Sequence, residues 1–201
     1  MNPSSLADEK ADLRKRCYAG RMAIDADEAE AAAKAVGERV GALVDVDDRV
    51  VVSAYWPLEG ELDPRPALLA LLARGATAAL PRVVGDGRPL DFHAWQPDDR
   101  LVEGRFRVME PTPDAARVSP SVLLVPLLAF DRQCRRLGHG KGYYDRTLQD
   151  LKVNDPAVLP EPAVLAVGVA FAAQEVGRVP TDEFDQTLDM VITEQTVHRP
   201  A

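Results

Sequence analysis

The feature that most constrains the fold is a glycine-rich string at 135–146, which stands between an apolar run and an amphipathic helix. The apolar run covers residues 122–130, too few to span a membrane but enough for a buried strand. From the end of the string onward, Tyr144, Leu148 and Leu151 recur at the i, i+4, i+7 spacing of one helix face. The segment therefore predicts a strand, a glycine loop and a helix, in that order.

The glycines of this loop indicate a phosphate-binding site. Gly138, Gly140 and Gly142 stand at alternate positions, so backbone N–H groups can approach a ligand without interference from Cβ atoms. The N-terminus of the following helix adds partial positive charge. The spacing is not that of a Walker A loop, because Lys141 is followed by Gly142 rather than by serine or threonine, and it is not a Rossmann fingerprint. An ordinary glycine turn is the alternative.

Full charges favour the phosphate-binding interpretation. Arg136, Lys141 and Arg146 bring three cations to the loop, while Asp145 is its one carboxylate. Cations bind phosphate oxygens, and an aspartate can hold the Mg²⁺ that accompanies a polyphosphate. The loop therefore predicts a site for a polyphosphate and its metal.

Length and charge limit the classes of function. The 201 residues fit a single domain, 1–201, with a sizeable core. A net charge of −8 disfavours a nucleic-acid binder, so an anionic ligand needs a local basic cluster. Cys17 and Cys134 form neither a disulfide framework nor a zinc spacing, which predicts reduced thiols. Because signal-peptide and membrane-spanning patterns are missing, we expect a cytoplasmic protein without a membrane partner.

Elsewhere the chain alternates helical and strand patterns. The predicted helices cover about 4–18, 25–44 and 63–75. The predicted strands cover 50–56, 76–84, 90–95, 163–171 and 189–193, with proline-rich loops at 111–120 and 154–162. This order predicts a three-layer α/β/α domain with a mostly parallel central sheet.

Four charged residues outside the loop have roles that the pattern alone leaves open. Lys10 and Arg14 lie four apart on one helix face, for which a solvated surface is the ordinary interpretation. Glu61 follows the strand 50–56 at the edge where open α/β sheets bind ligands, yet a loop glutamate is usually exposed. Asp189 opens the last strand, where aspartate usually forms a turn or a cap.

The longest motif closely resembles the signature of 5-formyltetrahydrofolate cyclo-ligases, also named 5,10-methenyltetrahydrofolate synthetases. It comprises L-L-A-F-D at 127–131 followed by R-L-G-x-G-x-G-Y-Y-D-R at 136–146. Four shorter family motifs are K-x-x-x-R at 10–14, Y-x-P-x-x-x-E at 55–61, F-x-x-x-E-P at 106–111 and V-P-x-x-x-x-D-x-x-x-D at 179–189. They occur in the family's order, so the resemblance extends from Lys10 to Asp189.

The resemblance implies an ATP- and Mg²⁺-dependent ligase that closes 5-formyltetrahydrofolate to 5,10-methenyltetrahydrofolate and releases ADP and phosphate. Phosphorylation of the formyl oxygen would make it a leaving group for attack by N10. It also implies the architecture of sugar-phosphate isomerases and CoA-transferases. We expect a monomer that binds a reduced folate.

The resemblance also assigns residues to roles. The catalytic residues are Lys141, Arg136 and Tyr143. The ATP-binding residues are Lys10, Ala11, Asp12, Leu13, Arg14, Arg136, Leu137, Gly138, His139, Gly140, Lys141, Gly142, Tyr143 and Tyr144. The substrate-binding residues are Trp56, Glu61, His139, Gly140, Lys141, Gly142 and Tyr143, and the metal ligands are Asp145 and Asp189.

Two other functions fit parts of this pattern. A sugar-phosphate isomerase or transferase on the same scaffold would need neither ATP-dependent chemistry nor the pair Lys10 and Arg14. A nucleotide-binding module without turnover would have no reason to keep both Asp145 and Asp189.

The chain departs from the family at three positions where members often have glycine. Leu127, Cys134 and Arg107 occupy these positions. If the backbone has positive φ there, we expect locally altered turns, because side chains disfavour that conformation.

Overall fold

The computed structural model describes residues 5–153 and 164–200, so Ser4 and the predicted loop 154–162 lie outside the described residues. Its helices are α1 (Leu6–Met22), α2 (Ala26–Leu43), α3 (Arg65–Leu72) and α4 (Tyr143–Val153). Its strands are β1 (Val51–Ser53), β2 (Thr77–Arg82), β3 (Asp91–Ala94), β4 (Leu101–Glu103), β5 (Met109–Pro111), β6 (Val122–Val125), β7 (Ala129–Phe130), β8 (Arg136–Leu137), β9 (Leu165–Val169), β10 (Met190–Ile192) and β11 (Val197–His198). Single turns of 3₁₀-helix occur at Arg105–Arg107 and Ala172–Gln174.

Seven strands form the central sheet in the order β11, β10, β9, β6, β1, β2, β3. The five inner strands run parallel, and β11 and β3 pair antiparallel at the two edges. Val52 of β1 lies between Val122 of β6 and Ala78 of β2. The predicted α/β fold with a mostly parallel sheet is confirmed.

Helices cover both faces of the sheet because its inner strands are apolar on both sides. In β6, Leu124 packs in a cluster with Val40 of α2 and Leu68 of α3. Its neighbour Leu123 points to the other face and packs with Leu148 of α4, since successive strand residues alternate. Each buried leucine contributes about 1.5–3 kcal/mol to folding. The arrangement is the three-layer α/β/α one that the unbroken apolar run of the strand predicts.

The apolar run 122–130 forms two strands, so the single strand predicted there is wrong. Pro126 has no N–H group to donate to a neighbouring strand, and β6 ends at Val125. The chain then leaves the sheet, and β7 pairs antiparallel with β8 with Phe130 opposite Arg136. This two-stranded ribbon leads the chain directly into the glycine loop.

Helix α1 packs against this ribbon. It begins with a capping box in which the Ser5 hydroxyl accepts the Asp8 N–H and the Asp8 carboxylate accepts the Ser5 N–H. Leu13 packs with Ala129 and Leu137 of the ribbon. The helix continues to Met22, beyond the end predicted near residue 18.

Strand β1 is shorter than the predicted 50–56. It ends at Ser53, and Tyr55 turns toward the following loop, where its hydroxyl donates to the Leu62 carbonyl at 2.6 Å. The edge strand β11 was not predicted. No helix within the described ranges is long and apolar enough to cross a membrane.

Two of the three family glycine positions have a left-handed backbone. The φ angle is 59° at Arg107 and 55° at Cys134, and the adjacent Phe106 has a φ of 63°. The condition for locally altered turns is thus met at Arg107 and Cys134, whereas Leu127 is not among the described residues with positive φ. Each such side chain costs roughly 1–2 kcal/mol.

We expect Arg107→Gly to be more stable than Arg107→Ala by about 0.5–1 kcal/mol. Glycine relieves a strain of roughly 1–2 kcal/mol, while the entropy of the unfolded chain opposes this by about 0.5–1 kcal/mol. Chemical denaturation measures the difference. At the exposed Lys34 of α2 the order should reverse, with glycine about 1 kcal/mol less stable than alanine. Equal stability of the two Arg107 variants would show that this turn is not strained.

Candidate active site

A cavity of about 1030 Å³ opens beyond the carboxyl ends of three parallel strands. Tyr55 and Trp56 follow β1, Val83 follows β2 and Pro126 follows β6, and all four line the cavity. The glycine loop and the first turn of α4 form another wall. Open α/β sheets bind ligands at this edge, so the cavity is the candidate active site.

The glycine loop lies against two arginines. Gly140 and Gly142 have φ angles of 91° and 66°. A Cβ on Gly140 would come within 3.2 Å of the Arg14 guanidinium, and one on Gly142 within 2.7 Å of that of Arg146. Nε of Arg14 also donates to the Gly138 carbonyl at 2.9 Å. Glycine is therefore required both for the backbone conformation and for the close approach of the cations.

Three cations at this loop form no ion pair with any residue in 5–153 or 164–200. Arg14 and Arg146 donate only to main-chain carbonyls, and Lys141 is exposed. The N-terminus of α4 adds partial positive charge beside them. The loop thus carries surplus positive charge in a chain of net charge −8, and a polyphosphate would neutralise it.

Lys10 lines the same cavity, but its charge is already paired. Its Nζ donates to Asp182 at 2.7 Å and to Asp185 at 2.5 Å. Burial acts to lower the pKa of Lys10, yet the hydrogen bonds to Asp182 and Asp185 outweigh it and raise that pKa above its ordinary value. The solvated-surface interpretation of Lys10 and Arg14 is wrong, because both line the cavity.

The structure corrects the expectation that the intervening residues of α1 contact ATP. Ala11, Asp12 and Leu13 do not line the cavity. Ala11 and Asp12 are exposed on the other side, and Leu13 is buried against the ribbon. Only residues about one turn apart share a helix face, so 10 and 14 face the cavity together while 11–13 do not.

Arg136 and Asp145 form a pair at the beginning of α4. Nη2 of Arg136 donates to Oδ1 of Asp145 at 2.7 Å, and the Gln186 N–H donates to the same oxygen at 3.1 Å. The other oxygen, Oδ2, accepts no hydrogen bond from the part of the chain that the structure describes. Asp145 therefore presents one oxygen that a metal could bind.

Asp189 is not placed beside Asp145, so the predicted metal pair is corrected. Its carboxylate accepts the Ala166 N–H of β9 at 2.7 Å, and it does not line the cavity. Asp189 precedes β10, whereas the cavity lies beyond the carboxyl ends of the strands. Asp185 lines the cavity with Asp145, and the N–H of its neighbour Gln186 bonds Asp145.

Glu61 lies among three donors. Its Oε1 accepts from Nη1 of Arg21 at 3.5 Å and from Nε2 of His139 at 3.0 Å, and its Oε2 accepts from the Leu58 N–H at 3.0 Å. The side chain is 5% exposed, so the exposed-loop interpretation is wrong. No motif pointed to Arg21, but it lies seven residues after Arg14 and thus on the same face of α1.

Aromatic side chains form the apolar walls. Trp56 has the Trp95 ring edge-on at 6.4 Å and the Arg65 guanidinium 4.9 Å from its ring. Tyr143 and Phe106 pair edge-to-face at 6.3 Å. Exposed apolar side chains of the described chain that also line the cavity are Leu6, Leu58, Phe106 and Phe184. An apolar, flat ligand portion would cover these surfaces.

Tyr144, in the first turn of α4, also lines the cavity. Burial raises the pKa of its hydroxyl, the negative charge of Glu61 raises it further, and Arg136 opposes them. The phenol therefore stays protonated at neutral pH.

Comparisons with known proteins agree on one family. The model of the 5-formyltetrahydrofolate cyclo-ligase family matches residues 7–194. The chain is 35% identical over 154 residues to the 5-formyltetrahydrofolate cyclo-ligase of Escherichia coli K12, with 73% of this chain and 79% of the relative covered. The solved structure of Aquifex aeolicus 5,10-methenyltetrahydrofolate synthetase superposes with a TM-score of 0.76 at 32% identity, covering 94% and 92% of the two chains. The fold is shared with the Mycoplasma pneumoniae synthetase at 23% identity and a TM-score of 0.69, over 92% and 99% of the chains.

We expect Lys10→Met to lower the free energy of unfolding by about 1–2 kcal/mol at pH 7, since it leaves two aspartates facing each other. This is below the roughly 3–5 kcal/mol of a fully buried pair, because Asp182 is partly exposed. The contribution is present at neutral pH. It should fade as pH rises through the raised pKa of Lys10, and also as pH falls through the lowered pKa of Asp182. Denaturation across pH measures this. An equal effect of Lys15→Met, at an exposed site, would contradict it.

Proposed function

Because the chain belongs to the 5-formyltetrahydrofolate cyclo-ligase family, a family of ligases, we propose that it uses ATP and Mg²⁺ to close 5-formyltetrahydrofolate to 5,10-methenyltetrahydrofolate. The observation that supports this best is the surplus positive charge at a glycine loop that shares its cavity with Glu61. The cationic region suits a polyphosphate. The carboxylate and aromatic walls suit a flat, donor-rich heterocycle.

The chemistry needs activation because an amide oxygen is a poor leaving group. In the proposed reaction the formyl oxygen bonds to the γ-phosphorus of ATP while the bond from that phosphorus to ADP breaks. N10 then attacks the formyl carbon and gives up its proton, and phosphate departs to leave the methenyl bridge. Phosphoryl transfer of this kind needs positioning and charge neutralisation more than covalent catalysis.

The phosphates are assigned to the N–H groups of the glycine loop with Arg14, Lys141 and Arg146. These three cations have no carboxylate partner in the described chain, so no ion pair has to break before a phosphate binds. The charge-assisted hydrogen bonds that they donate to phosphate oxygens are strong. Lys10 retains a third ammonium hydrogen after bonding Asp182 and Asp185, and this hydrogen can bond a phosphate oxygen.

Mg²⁺ is assigned to Asp145 and Asp185, whose oxygens suit this hard cation. Within the described chain, Oδ2 of Asp145 and Oδ1 of Asp185 accept no hydrogen bond and can serve as ligands. The described residues include no group of three or more His, Cys, Asp or Glu side chains suited to a metal. Mg²⁺ often keeps waters and phosphate oxygens as ligands, so two carboxylates are sufficient. The bound ion would neutralise phosphate charge.

The remaining catalytic and substrate-binding roles are assigned from where each side chain lies in the cavity. Arg136 orients Asp145 through their 2.7 Å contact. Glu61 is assigned to the donor-bearing edge of the pterin, with Tyr143 orienting it and Trp56 forming its wall. These side chains line one cavity, which would hold the formyl group and the phosphates close together.

We expect the protein to be cytoplasmic, to be a monomer and to bind a reduced folate. Cys17 and Cys134 are both free thiols, and Cys134 is buried. A sugar-phosphate isomerase on the same scaffold is disfavoured because the matching family is one of cyclo-ligases.

The direct test is to mix the protein with ATP, Mg²⁺ and 5-formyltetrahydrofolate and follow the absorbance of the methenyl product. We expect the wild-type protein to form the product.

The metal assignment is tested by the Mg²⁺ dependence of turnover. Asp145→Asn and Asp185→Asn should need more Mg²⁺, because each loses an ionised ligand. Asp189→Asn is the matched control and should keep the wild-type Mg²⁺ dependence. Absence of product from wild type would refute the function, and a shifted Mg²⁺ dependence only in Asp189→Asn would refute the metal assignment.

Lys141→Ala should raise the apparent KM for ATP roughly tenfold, the loss of about one charge-assisted hydrogen bond. Because Lys141 is exposed and forms no ion pair in the described chain, the melting temperature should hardly change. Lys34→Ala, at an exposed position on α2, should alter neither quantity. Steady-state kinetics and thermal denaturation give both readouts, and an unchanged KM for ATP in Lys141→Ala would remove this lysine from the phosphate site.

A further inference from the structure

The carboxylate of Glu61 has little capacity left for a ligand. A carboxylate offers about four acceptor sites, two on each oxygen. Oε1 accepts from Arg21 and His139, and Oε2 accepts from the Leu58 N–H. Counting donors in the described ranges, one site remains, and it is on Oε2.

A ring edge with two adjacent N–H donors needs one acceptor site on each oxygen. Oε1 must therefore release a partner before such an edge can bind in this way. Arg21 is not the partner that Oε1 releases at low cost, because its side chain is 1% exposed and would become a buried charge without its carboxylate. Its Nε already has no partner among the described residues. His139 is 39% exposed and can return to water, so it is the partner that leaves at least cost.

His139 also belongs to the phosphate-binding region. It stands between Gly138 and Gly140, and the φ of 91° at Gly140 marks backbone that glycine adopts without strain. The imidazole itself is exposed, so it can rotate about its side-chain bonds away from Glu61. Arg14, which bonds the Gly138 carbonyl at 2.9 Å, is adjacent and has no carboxylate partner in the described chain. An imidazole N–H released from Glu61 therefore lies beside the cations assigned to the polyphosphate.

We propose that His139 is a positioning residue that couples the two ligands. Its Nε2–H donates to Glu61 while the nucleotide is absent and to a phosphate oxygen when the nucleotide is bound, which frees Glu61 for the ring edge of the folate. This inference rests on the proposed function, because it requires both ligands in one cavity. Nucleotide then strengthens folate binding, and folate strengthens nucleotide binding by the same factor.

The test is a titration of the full chain with 5-formyltetrahydrofolate, alone and with a saturating non-hydrolysable ATP analogue and Mg²⁺. For wild type we expect the analogue to lower the folate Kd on the order of tenfold, about one hydrogen bond to a charged group. His139→Ala should bind folate alone on the order of tenfold more tightly than wild type, and the analogue should add little.

Two controls accompany the alanine variant. His139→Gln keeps an N–H donor of similar reach and should retain most of the coupling. Lys15→Ala, at an exposed position beside Arg14, should show the full wild-type coupling. Both outcomes support a specific role of the His139 donor rather than a general effect of charge or packing.

The proposal is overturned if His139→Ala binds folate alone more weakly than wild type, or if the analogue acts equally on both proteins. Whether the wild-type protein forms product distinguishes a failure of this proposal from a failure of the proposed reaction. Methenyl product with unchanged coupling in His139→Ala would remove only the role of His139, whereas no product would refute the proposed reaction.

Discussion

The shape of the active-site region depends on where strand β6 stops pairing with its neighbours in the central sheet. Pro126 stops the ladder, and the carbonyls that follow need other donors because they are buried. The Gln174 side-chain amide supplies them, donating to Leu127 at 2.7 Å and to Leu128 at 3.1 Å. The Leu128 N–H bonds the Leu137 carbonyl at 2.7 Å, which closes the ribbon. The chain is thereby turned out of the sheet, and the glycine loop is held over the strand ends.

Helix α1 packs against the ribbon, which fixes its position. One face of α1 contacts three separate segments of the chain. Lys10 pairs with the turn at 182–185, Arg14 bonds the glycine loop, and Arg21 pairs with Glu61. These residues lie at i, i+4 and i+11, within about 40° of one another around the helix. A single rigid element therefore connects the regions assigned to metal, phosphate and pterin.

The cations of the site divide into two groups by their partners. Arg21 and Arg136 have side chains that are 1% and 5% exposed, and both are paired with carboxylates, as burial of a charge demands. Arg14 and Lys141 have no carboxylate partner in the described chain. The first group holds acceptor side chains in place, and the second leaves a positive field that an anionic ligand can neutralise. An acidic protein can in this way bind a polyphosphate.

Local patterns determined much of the fold. The glycine loop before α4 and the Asp25 cap of α2 depend on neighbours within a few residues, and both were predictable. The parallel sheet followed from strands apolar on both faces. The end of β6 at Pro126 was also a local signal, because proline lacks an N–H, although the apolar run concealed it.

Tertiary packing decided which charges meet. Spacing alone could not place Asp185 rather than Asp189 beside Asp145, because the Ala166 N–H that holds Asp189 comes from another strand. Nor could it pair Glu61 with Arg21, which is forty residues away in the chain. The sequence by itself determined the order of the main helices and parallel strands, and the family. Only the tertiary structure determined the partner of each charge, since a partner depends on long-range contacts that no local pattern records.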